Sequence, residues 1–130
     1  MISFFTLFLS RAQIAESFMV SGLEMRLNRI LRKGKMLCIP MDHGISNGPI
    51  EGLEDPHSII YKCESHGLTS VIINKGILKT LPRPTKIGLL VHFSSSTSLS
   101  SSPNRKMLTG TVEEALRLCA DGVSLHINIG

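Results

Sequence analysis

Four short apolar runs each turn polar toward their C-terminal end, and that shared polarity constrains the fold more than any other feature of the sequence. "KMLCIPM", about 36–41, runs into Asp42 and His43. "TSVIIN", about 69–74, ends on Asn74 and meets Lys75. "IGLLVHF", 87–93, carries His92 and meets Ser94, and "GVSLHINIG", 122–130, carries His126 and Asn128. Side chains alternate across a strand. Val123, Leu125, Ile127 and Ile129 therefore share one face of the last run, and Ser124, His126 and Asn128 the other. In the third run Ile87, Leu89, Val91 and Phe93 oppose Gly88, Leu90, His92 and Ser94. A sheet covered by helices on both sides buries both faces. A β/α barrel packs one face under helices, and its other face lines an interior that opens at the C-terminal rim. The expected fold class is α/β, the first four strands of a TIM (β/α)8 barrel. The barrel is incomplete, because a full one takes roughly 250 residues and this sequence has 130.

The stretches between the runs read as crossovers. Leu23, Leu27, Ile30 and Leu31 recur at helical spacing before Gly34, predicting a helix over about 23–33. Asp55-Pro56 reads as an N-cap with proline at the first helical position. Ile59, Ile60 and Cys63 form that helix's apolar face, and Gly67 ends it. Pro82 and Pro84 bar a long helix after the second run. Thr111 with Glu114 is a capping box ahead of the Val112, Ala115, Leu116, Cys119 face. The serine-rich "SSSTSLSSSPNRK" between structured flanks reads as a functional loop. The predicted organisation is an atypical N-terminal extension over 1–22 and half of a barrel domain over 23–130. "MISFFTLFLS" is too short to span a bilayer and has no basic region ahead of it.

Hydrophobic content of 42% and charged content of 18% suit a globular chain. The net charge of +4 is scattered, so neither nucleic acid nor membrane is an expected partner. The three cysteines are far apart, with no CxxC pair, and are expected as reduced thiols of a cytoplasmic protein.

Two chemistries fit a rim of Asp, Lys and His. A Schiff-base aldolase needs a lysine amine to form an iminium with a ketose, and acid/base groups at the cleaved bond. Asp42 suits the proton acceptor. Alternatively His43, His92 and His126 hold a divalent metal that polarises a carbonyl. Lys75 shares parity with Val71 and Ile73, so it points away from the lumen and suits loop anchoring or phosphate contact as well as catalysis. Gly44 and Gly48 permit close backbone approach, and the N–H groups of Gly44 to Ser46 suit a polar or anionic substrate group. Neither a Walker lysine nor GxGxxG occurs, so nucleotide binding has no support.

"IPMDHGISNGPIEGL", "INKGI", "LLVHFSSSTSLSSSPNRK" and "GTVEEALRLCADGVSLHINIG" together resemble the archaeal-type class I aldolase family, in register from about Leu23 to Gly130. That family includes fructose-bisphosphate aldolase and 2-amino-3,7-dideoxy-D-threo-hept-6-ulosonate synthase. "DHGISNGPIEGL" leans toward the second branch, which feeds aromatic amino-acid precursors. The resemblance implies a (β/α)8 barrel, a phosphorylated sugar substrate, a homo-oligomer, and no cofactor or metal. It makes Asp42 the proton acceptor and the segment Asp42, His43, Gly44, Ile45 and Ser46 a substrate seat. Lys75, His92, His126 and Asn128 are further candidate rim contacts. The family's proton-donor tyrosine and Schiff-base lysine lie on later strands, and Tyr61, in a crossover helix, is no substitute. The expectation is an aldolase half that is inactive at this length. The alternative is a non-catalytic half-barrel remnant that pairs its open edges.

Overall fold

The computed structural model describes residues 21–127. The N-terminal extension up to residue 20 and the predicted rim residue Asn128 lie outside the described residues. Helix α1 (Ser21–Ile30) leads into strand β1 (Cys38–Pro40), the one-turn helix α2 (Gly44–Asn47) and helix α3 (Pro56–Ser65). Strand β2 (Ser70–Asn74), the short helix α4 (Lys75–Lys79) and strand β3 (Gly88–His92) follow. A small excursion pairs β4 (Ser94–Ser95) with β5 (Met107–Leu108) before helix α5 (Val112–Arg117) and strand β6 (Gly122–Ser124).

The main sheet has four parallel strands in the order β1-β2-β3-β6. Each strand lies beside the previous one, with a helical crossover between, which is the winding of a β/α barrel wall. The register sets Cys38 opposite Ser70, Ser70 opposite Gly88, and His92 opposite both Asn74 and Ser124. Asn74, His92 and Ser124 therefore fall at one end of the sheet, the end where Asp42 leaves β1.

The alternation read from the sequence holds. Val71, Ile73, Leu89, Val91 and Phe93 pack with Ile60, Cys63, Leu78 and Ala115 of the helices in one buried cluster. Their burial is the main driving force for closing the helices onto the sheet. The opposite face is covered at its base by α1. An added Cβ at Gly88 would sit 2.8 Å from Ile30 Cγ1 and 2.9 Å from Ile30 Cα, so only glycine lets the helix come this close. Arg29 fixes α1 there, its Nε donating to both Asp121 carboxylate oxygens at 2.8 and 3.0 Å. Asp121 in turn accepts the Leu89 N–H at 2.9 Å.

Two boundaries differ from expectation. The first helix stops at Ile30, not near residue 33, because Lys33 (φ 52°) and Gly34 (φ 73°) are both left-handed and form a tight turn closed by hydrogen bonds between Arg32 and Lys35. The last strand was expected over 122–130, but its pairing covers only Gly122–Ser124. A parallel ladder would continue from the His126 N–H to the Phe93 carbonyl. That carbonyl instead accepts the Thr109 N–H at 2.9 Å, and His126 N–H donates to Ser94 Oγ at 2.9 Å. The β4–β5 excursion thus cuts the ladder short.

The helix starts follow their sequence signals. Asp55 caps α3 by accepting the Ser58 N–H at 3.1 Å. Thr111 caps α5 by accepting the Glu114 N–H at 3.2 Å, but the Glu114 carboxylate does not complete a capping box. It turns to Lys75 and Lys79 at 3.1 and 3.4 Å. Among the described residues no helix is long and apolar enough to cross a membrane.

Candidate active site at the C-terminal rim

Asp42 leaves the end of β1 just after the buried Met41, whose N–H is held by the Ile72 carbonyl at 2.7 Å. Asn74, at the end of β2, donates to the Asp42 carbonyl at 3.1 Å and fixes the backbone that carries the acid. His92, at the end of β3, places Nε2 3.6 Å from Asp42 Oδ2. Its other nitrogen, Nδ1, is 3.0 Å from Ser124 Oγ at the end of β6. His43 Nδ1 lies 3.9 Å from Asp42 Oδ1 on the outer side. Two imidazoles therefore flank one carboxylate, and a hydroxyl from a third strand end meets the far nitrogen of one of them.

Of these groups Asn74 and His92 line an open cleft of about 740 Å³, a size suited to a small-molecule ligand. Its polar floor includes Asn74, Lys75 and His92, and its wall is apolar, with Ile45, Ile50, Leu53 and Ile77. Gly44 and Ile45 of the predicted substrate seat line it. Ser46 is arranged differently. Its N–H is taken by the His43 carbonyl at 3.1 Å, and its carbonyl accepts the Ser98 N–H at 3.2 Å. The expectation that N–H groups from Gly44 to Ser46 all face a ligand is thus corrected for Ser46. The same contact ties the serine-rich loop to the rim.

Lys75 reaches away from the strand ends, as its parity suggests. Its Nζ donates to the Thr109 carbonyl at 2.6 Å and pairs with Glu114 at 3.1 Å. Hydrogen bonding and charge from Lys75 hold the Glu114 carboxyl below its ordinary range. Near the base of the lumen-side sheet face, burial pushes the Cys38 thiol up, the neighbouring Ser70 hydroxyl opposes this, and the Asp42 charge adds to the rise.

His126 contributes its backbone N–H to Ser94 at this rim. The metal alternative built on His43, His92 and His126 is not supported by the geometry. Among the described residues no group of three or more His, Cys, Asp or Glu side chains is placed to hold an ion. Tyr61 sits in α3 with its hydroxyl donating to the Arg83 carbonyl at 2.9 Å and its ring under the Arg83 guanidinium, so it does not serve the rim. Sequence reasoning passed over Ser124 and Thr109 as site groups. Ser124 was legible through its parity with His126. Thr109 acts through a backbone carbonyl, which no side-chain pattern announces.

Consecutive parallel strands that deliver an acid and its polar neighbours to one open rim define the mouth of a β/α-barrel enzyme. The chain belongs to the DeoC/LacD family of aldolases, whose sequence profile matches residues 36–130. It is 42% identical over 111 residues to the 2-amino-3,7-dideoxy-D-threo-hept-6-ulosonate synthase of Halobacterium salinarum, covering 85% of this chain and 42% of that protein. It is 37% identical over 115 residues to synthase 1 of the same name from Archaeoglobus fulgidus, covering 87% of this chain and 44% of that protein. The fold matches the crystal structure of an archaeal fructose 1,6-bisphosphate aldolase with a TM-score of 0.67 and 26% identity, over 79% of this chain and 43% of that one. The chain thus spans less than half the length of the curated relatives it matches. The sheet is part of an aldolase barrel, and the barrel is incomplete in these residues.

Proposed function

We propose that this chain carries the proton-accepting half of a Schiff-base aldolase or transaldolase site for phosphorylated ketoses, of the 2-amino-3,7-dideoxy-D-threo-hept-6-ulosonate synthase type. The observation that carries this reading is Asp42, at the end of β1, 3.6 Å from His92, which itself lines an open cleft. A structural neighbour is a Schiff-base-forming fructose-1,6-bisphosphate aldolase, which supports the same chemistry. In such a site a lysine amine condenses with the ketose carbonyl and releases water, leaving an iminium. As the carbon–carbon bond breaks, its electron pair moves into the iminium to give an enamine, and Asp42 takes the proton of the hydroxyl on the other carbon, whose fragment leaves as an aldehyde. The segment Asp42, His43, Gly44, Ile45 and Ser46 seats the substrate. His92 and His126 stand beside it at the rim, Asn128 is a further candidate contact from the sequence, and Lys75 anchors the segment at Thr109.

The amine comes from outside these 130 residues. Lys75 is committed to Thr109 and Glu114. The polypeptide of this sequence, incubated with dihydroxyacetone phosphate and borohydride, should therefore yield no covalent adduct. A stable adduct on Lys75 would overturn this division of labour. The chain is further proposed to act in the cytoplasm, consistent with three free thiols.

A second reading has its own observation. Leu37 and Ile39 beside the free edge of β1, and Ile127 just past β6, are 58%, 39% and 77% exposed. Unpaired parallel edges with apolar flanks favour association. As a non-catalytic half barrel the chain would pair these edges in a homo-oligomer, and a monomer in sedimentation at high concentration would remove that reading.

A further inference from the structure

Ser124, His92 and Asp42 form a line across the ends of β6, β3 and β1. His92 has a side chain only 12% exposed, and each of its nitrogens faces one neighbour. A neutral imidazole carries one N–H, so only one of those neighbours can receive it. If Nδ1 held the proton, the Nε2 lone pair would face the Asp42 carboxylate at 3.6 Å, acceptor against acceptor. If Nε2 holds it, the N–H points at the carboxylate, and the Ser124 hydroxyl donates to Nδ1 across 3.0 Å. The second arrangement satisfies both contacts.

We infer that His92 is the positioning residue for Asp42, locked by Ser124 in the tautomer whose Nε2–H faces the carboxylate. The distance matters. At 3.6 Å the N–H steers Asp42 Oδ2 without capturing it in a hydrogen bond. The carboxylate is oriented, yet an oxygen remains available to take a proton. His43, 3.9 Å from the other oxygen and 44% exposed, has no comparable lock. Asn74 fixes the backbone of Asp42, and His92 fixes its side chain. Lys75, which lines the same cleft as His92, is turned to Thr109 and Glu114 and does not compete for the carboxylate. The catalytic value of this arrangement rests on the proposed role of Asp42 as proton acceptor. The arrangement itself does not depend on that role.

The test is long-range proton–nitrogen NMR on the polypeptide labelled with 15N-histidine at pH 8, with His92 assigned by the signals lost in His92→Gln. The expected spectrum places the His92 proton on Nε2. Ser124→Ala should shift the ring toward a mixture of tautomers, and Asp42→Asn should shift it the same way. A His92 ring protonated on Nδ1 in the unsubstituted polypeptide overturns the inference, as does a tautomer that neither substitution moves. A residue that merely filled space would show no such response. No substrate is present, so failure here leaves the aldolase reading standing. A failed adduct experiment likewise leaves the tautomer measurement intact.

Discussion

The carboxylate of Asp42 and Nε2 of His92 face each other at 3.6 Å across the ends of β1 and β3, with β2 lying between those strands. The contact spans an intervening strand because both side chains lean over the rim of one sheet face. It therefore depends on the whole parallel sheet, and on what holds that sheet in register. The features that secure the base of the sheet are testable without any knowledge of the substrate.

Arg29→Ala should destabilise the fold by about 2–3 kcal/mol, because it strands the Asp121 carboxylate beneath the sheet with only the Leu89 N–H as partner. The Asp121 side chain is 5% exposed, so the carboxylate loses its guanidinium partner at a site that Arg29 now keeps largely dry. Urea unfolding measures the effect, and an unchanged midpoint would show that α1 does not lock the sheet.

Gly88→Ala should cost about 1–3 kcal/mol, since the new methyl meets Ile30 backbone and side chain together. Gly76→Ala makes the control. Nothing lies within 4 Å of its added Cβ, and Gly76 is helical, so this change should be neutral or stabilising by up to roughly 1 kcal/mol. Equal thermal shifts for the two variants would contradict the packing described.

Acid should release Lys75. The Glu114 carboxyl is held below its ordinary value by Lys75, so the pair's contribution is fully present above the usual carboxylate range and is lost as pH falls through the lowered value. The Lys75 ammonium signal should therefore change in NMR only below the usual carboxylate range. Glu114→Gln should remove that transition. A Lys75 signal that stays flat through acid pH would show that the pair does not form.

Thiol alkylation reports on the base of the lumen face. Cys119 is exposed and should react first, and Cys38 slowly, because burial raises its thiol with a contribution from the Asp42 charge. Removing that charge in Asp42→Asn lowers the thiol's titration and should speed Cys38 alkylation at a fixed pH near 8. A slower reaction would mean that the carboxylate does not reach the thiol.

Much of this was legible in the sequence, for reasons that can be named. The strand parity of Leu89, Val91 and Phe93 against Gly88 and His92 reported the two sheet faces, because alternation is a local property of the backbone. Asp42 and His92 were legible as rim residues for the same reason. Their contact was not, since register between β1 and β3 is set by tertiary packing. The end of β6 was misjudged because the competitor for the Phe93 carbonyl is Thr109, which arrives from the β4–β5 excursion. The apparent capping box failed in half because Glu114 meets Lys75, far away in sequence. A polar partner delivered by folding outbid a local one.

The central claim is that residues 36–130 supply the acid-bearing half of an aldolase site. A chimera tests it most directly, with this segment replacing its counterpart in the Halobacterium salinarum synthase. The account predicts a folded chimera that forms 2-amino-3,7-dideoxy-D-threo-hept-6-ulosonate, and loses about a hundredfold or more of that activity on Asp42→Asn. A folded chimera without activity, or one indifferent to Asp42→Asn, would contradict it.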